Sequence, residues 1–63
     1  MTTFETTCRQ LEQFLFAHYI HFASWHKNEE EFMVWVYDKT EEVTETVAEF
    51  DRILAKHGKK RRG

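Results

Sequence analysis

Phe32-Met33-Val34-Trp35-Val36-Tyr37 sets the folding problem for this chain. β-Branched and aromatic residues of this kind favour a strand. Successive side chains of a strand point to opposite faces. Phe32, Val34 and Val36 therefore share one face, and Met33, Trp35 and Tyr37 share the other. Both faces are apolar, so each needs a cover.

The residues just before this run supply a partner strand. From Ile20, the positions Ile20, Phe22, Ser24 and His26 alternate with His21, Ala23, Trp25 and Lys27. Such alternation suits a strand better than a helix. Between the two runs lies a polar segment containing Asn28, a residue that tolerates positive φ and suits a tight reversal. The pattern predicts an antiparallel hairpin. Its turn type stays open, because no Asn-Gly or Asp-Gly pair marks it.

Helical periodicity flanks the hairpin on both sides. Phe4, Cys8, Leu11, Leu15, His18 and Phe22 recur at steps of three and four, which predicts a helix from Thr2 to about Tyr19. Thr2 and Glu5 have the spacing of a capping box at its start. Val43, Val47, Phe50, Leu54 and His57 repeat the same steps, with Ile53 beside them, and predict a second helix over Asp38 to His57. Asp38 or Thr40 is placed to cap it. Glu41 and Glu42 suit the positive end of its dipole. Gly58 is placed to close it in the left-handed region.

The expected fold is α+β: a single small helix–β-hairpin–helix (αββα) domain over residues 1–58. Residues 59–63 follow as a flexible basic tail. Two helices with one apolar stripe each can cover one face of the hairpin, which leaves the other face bare. A two-stranded sheet is marginal in water, and its edges present unpaired backbone groups. Dimerisation about a two-fold axis addresses these faults, with two copies either paired edge to edge into a four-stranded antiparallel sheet or stacked by their hairpin faces. The residues assigned to that interface are Met33, Trp35 and Tyr37 of the second strand, Trp25 across from them, and Phe16 and Tyr19, which stand off the first helical stripe. The competing arrangement has the two helices straddling the hairpin, one on each side.

Size supports the same expectation. A chain of 63 residues buries only about 60% of the surface it exposes when unfolded. Domains this small often add disulfides, a metal or a partner subunit. Cys8 is the only cysteine, so no internal disulfide can form. A lone thiol fits a reducing compartment. No segment reads as a signal peptide or a membrane span, and a cytoplasmic location is expected.

Few residues suggest chemistry. His18 and His21 are three apart, with Cys8 on the same helical phase. A zinc site normally needs three or four ligands, and no third is evident, so no metal or cofactor is expected. Cys8 lies on an apolar stripe, which argues for packing rather than nucleophilic activation. Glu29, Glu30 and Glu31 read as solvated gatekeepers beside a sticky strand, not as an acid–base pair. No catalytic residue is assigned, and neither an enzyme nor a small-molecule substrate is expected. Lys59, Lys60, Arg61 and Arg62 carry 4 of the 9 basic residues. The remaining 5 face 11 acidic residues, a net charge of −6. An acidic body thus ends in a basic tag, and the alternative function is nucleic-acid binding through that tag.

The stretch from Leu11 to Phe50 resembles a family of small bacterial domains of unknown function. They run helix, hairpin, helix, and many sit on prophages and integrative elements. The shared features are the apolar segment Leu11–Phe16, the strand Phe32–Asp38 and the Glu-rich helix Thr40–Phe50. Where such domains often carry a glycine after the first helix, this chain has Tyr19. The resemblance implies an accessory protein that acts by binding, with no defined activity.

Overall fold

The computed structural model describes residues 2–61. Five elements follow in order: β1 (Thr3–Thr6), α1 (Arg9–Ala17), β2 (Ser24–Lys27), β3 (Met33–Asp38) and α2 (Glu41–Lys56). The α+β class agrees with the sequence expectation, as does the antiparallel hairpin. The start of the chain does not. Residues 3–6 form a strand, so the expected helix from Thr2 to Tyr19 begins only at Arg9, and the capping box at Thr2 and Glu5 falls away. Four of the six residues from Thr2 to Thr7 are threonine, and that density of β-branching favours the extended chain.

β3 lies at the centre of a three-stranded sheet with order β1-β3-β2. Both ladders are antiparallel. Phe4 is opposite Tyr37 and Glu5 opposite Val36. Trp25 is opposite Trp35, His26 opposite Val34, and Lys27 opposite Met33. The strand with two apolar faces therefore occupies the position with a neighbour on each side.

Both helices pack on one side of the sheet, which excludes the straddling arrangement. The core joins Leu11 and Leu15 of α1, Val43, Val47 and Phe50 of α2, Ile20, and Tyr37 of β3. Phe14 and Phe50 hold the helices together, with ring centroids 5.2 Å apart. Leu11 and Leu15 are fully buried, and truncating either to alanine would cost about 2–5 kcal/mol. The covered face of the sheet is the one bearing Tyr37, Trp35 and Phe4.

The other face answers the question set by the apolar run. Val36 stands between Glu5 of β1 and Ser24 of β2, and Val34 has His26 beside it. Glu5 and Thr7 also border a shallow depression at Val34. Val34 is buried and Val36 half-buried. Polar neighbours on both flanking strands thus screen the two valines, and β1 supplies half of that screen.

The two helices end alike. Beyond α1, the Tyr19 N–H donates to Phe16 O and the Ile20 N–H to Leu15 O. Beyond α2, the Gly58 N–H donates to Ala55 O and the Lys59 N–H to Leu54 O. Both are Schellman motifs, which need a left-handed residue just past the cap. Gly58 takes that conformation at φ 67°, and Tyr19 takes it at φ 63°. Ile20 then turns into the core against Leu15. At its start, α2 is capped by Thr40, whose Oγ1 accepts from the Val43 N–H at 3.1 Å. Asp38 is instead the last residue of β3.

Asn28 builds the hairpin turn with its side chain. Its Oδ1 accepts from the Glu30 N–H at 2.9 Å and the Phe32 N–H at 3.0 Å. The left-handed residue of this turn is Glu31, at φ 65°, not the asparagine that the sequence favours for it.

Candidate interaction surface

β2 is an outer strand of the sheet, and all four of its residues are exposed. Its backbone is paired to β3 on one side only. The helices cover the β1 and β3 part of their face, where Phe4 and Tyr37 lie, and stop short of β2. Trp25 points to the helix side of the sheet yet remains 54% exposed.

Trp25 belongs to a continuous apolar strip. It faces Trp35 across the ladder, and Met33 is the next β3 residue on the same face. Trp35 is half-buried against the core. At the other end, the Phe22 ring meets Tyr37 edge-on, with centroids 6.4 Å apart. Phe22, Trp25 and Met33 all remain exposed. A strip of large apolar side chains beside an unpaired strand edge has the features of a docking surface.

Phe16 and Tyr19 lie at the end of α1, where the chain turns toward β2. Phe16 packs edge-on against His21 at 5.3 Å and is otherwise exposed. Tyr19 is 88% exposed and has a left-handed backbone. Phe32 is also exposed, but strand alternation puts it on the opposite sheet face.

Of the six residues assigned to an interface from sequence, Trp25, Met33, Phe16 and Tyr19 are at the surface. Tyr37 is not. It is 1% exposed and forms the centre of the core. Trp35 lies between, half-buried beneath the strip. Periodicity places Met33, Trp35 and Tyr37 on one face but does not say that the helices take that face. Phe22 was missed because its spacing from His18 continues the helical stripe, which absorbed it.

Burial raises the Tyr37 hydroxyl from its ordinary 10.0 to about 12, with the nearby Glu12 carboxylate adding to the effect. That hydroxyl has no hydrogen-bond partner among the described residues.

The histidines and the cysteine are dispersed in other roles. The His18 ring N–H donates to Phe14 O at 2.9 Å. Cys8 is half-buried at the start of α1 and packs against the core. Among the described residues, no group of three or more His, Cys, Asp or Glu could hold a metal ion. No helix among them is long and apolar enough to cross a membrane.

The basic segment turns back after Gly58. The Arg61 guanidinium sits 5.5 Å over the Phe4 ring, and its Nε lies 3.6 Å from Asp51 Oδ1. Lys59, Lys60 and Arg61 line a cleft of about 640 Å³ together with Thr7, Cys8, Arg9, Gln10 and Leu54. Arg62 lies outside the described residues. No family model, no curated protein and no solved structure matches this chain.

Proposed function

We propose that this chain is a non-enzymatic interaction module that pairs with a second copy of itself along the outer edge of β2. The observation that carries this reading is Trp25. It is a large indole, half exposed, on a strand whose other edge is unpaired.

A second copy fits this edge for three reasons. Antiparallel pairing about a two-fold axis satisfies both β2 edges at once and joins the two three-stranded sheets into a single six-stranded one. Such pairing keeps all four helices on one side, so the apolar strips of the two copies adjoin. β2 carries no carboxylate, and its single charge, Lys27, stands at the strand end. Antiparallel pairing places the two Lys27 side chains at opposite ends of the joint, where they do not repel. Trp25, Phe22 and Met33 are already partly buried, so covering what remains contributes about half of the roughly 1.5–3 kcal/mol that a fully exposed large side chain would give. Over two copies that approaches the lower end of the stability of a small domain.

The role follows the resemblance to small bacterial and mobile-element domains, which implies an accessory protein that acts by binding. Isotope-filtered NMR on a mixture of labelled and unlabelled chains tests the mode of pairing. Inter-chain contacts to the Trp25 indole and between β2 backbones are expected. Inter-chain contacts confined to Val34 and Val36, with β2 amides exchanging freely, would overturn it.

A further inference from the structure

We infer that the cleft between the start of α1 and the returning C-terminal segment is a binding site for a phosphorylated small molecule. The inference is independent of self-pairing, because β2 does not line this cleft. Four cationic side chains border it. Arg9 comes from the first turn of α1, and Lys59, Lys60 and Arg61 come from the far end of the chain. Folding brings them together against the net charge of the remaining body, which is 5 basic minus 11 acidic residues, or −6. Like charges are gathered only at a cost in repulsion, and a multiply charged anion relieves it.

Two details of the cleft add to this. The capping residue of α1, Cys8, gives no side-chain hydrogen bond to the helix start, so the first-turn amides beside Arg9 keep their affinity for an anion. Phe4 and Asp51 hold the Arg61 guanidinium in place, so the segment is positioned before any ligand arrives.

The shape favours a small ligand over a polymer. A volume of about 640 Å³ falls within the range of small-molecule sites, roughly 300–1,000 Å³. A long polyanion would have to run on across an acidic body.

Titration of the intact, isotope-labelled chain with pyrophosphate at constant ionic strength tests the inference. The expected result is saturable shifts at the amides of Arg9, Gln10 and residues 59–61. R9Q should weaken binding about tenfold, the loss of one charge-assisted hydrogen bond. K39Q, outside the cleft, should leave it unchanged. Non-saturating shifts spread over all the lysines would overturn the inference. So would R9Q binding as tightly as the unaltered chain. A single-stranded oligonucleotide that binds where pyrophosphate does not would also overturn it, in favour of a nucleic-acid surface.

Discussion

Phe4 and Tyr37 face each other across the β1–β3 ladder, with ring centroids 6.3 Å apart. This pair ties the N-terminal strand to the core. Tyr37 reaches inward to Leu11, Leu15 and Phe50, while Phe4 carries the Arg61 guanidinium on its ring. Phe4→Ala should therefore do more than remove apolar contact. It should cost about 3 kcal/mol, the low end for a buried phenylalanine because Phe4 is only half-buried. It should also release residues 59–61. Urea denaturation gives the first effect, and amide exchange at Lys59 and Arg61 gives the second.

The Tyr37 hydroxyl gives a second prediction. It is buried without a partner, so Tyr37→Phe should leave stability unchanged or raise it by about 1 kcal/mol. Its pKa is raised to about 12 by burial and by Glu12. The folded chain therefore holds this proton when the unfolded chain has already lost it. The contribution of this proton to stability is fully present below pH 10 and is lost as pH rises from 10 toward 12. The fall should be on the order of 2 kcal/mol. Denaturation midpoints measured across that range should decline for the unaltered chain and hold nearly level for Tyr37→Phe.

Tyr19 occupies the left-handed position of a Schellman motif that Gly58 fills in the other helix. A non-glycine residue there costs about 1–2 kcal/mol, partly offset by the greater freedom that glycine gives the unfolded chain. Tyr19→Gly should raise thermal stability by about 0.5–1 kcal/mol. Calorimetry checks this, and a lowered midpoint would show that the exposed tyrosine ring makes a stabilising contact.

Asn28 accepts two backbone N–H groups that otherwise lack a partner in the hairpin turn. Asn28→Ala should cost about 1–2 kcal/mol and should loosen β2 before the helices. Exchange of the Asn28 N–H, which donates to Phe32 O, should speed up while the α2 amides stay protected.

Much of this fold is legible in the sequence, with an uneven pattern of success. α2 is clear because its stripe, its cap and its closing glycine agree. β1 is hidden by coincidence. Phe4 points inward from a strand, Cys8 and Leu11 point inward from the helix that follows, and together they reproduce helical spacing. The face of β3 that meets the helices depends on where the helices lie, which alternation does not encode, so Tyr37 was assigned to a partner when it serves the core. The position of Trp25 was legible, because hairpin pairing sets it on the same side as Trp35, and the two stand opposite each other in the ladder. The basic cleft was not, because it depends on a chain reversal at Gly58 and on Arg61 meeting Phe4, residues 57 positions apart.

Sedimentation equilibrium of the intact chain over a wide range of concentration tests the pairing most directly. The predicted result is a reversible approach to twice the 7.7 kDa chain mass, abolished by Trp25→Asp. A mass that stays at that of one chain up to the highest concentration would contradict it.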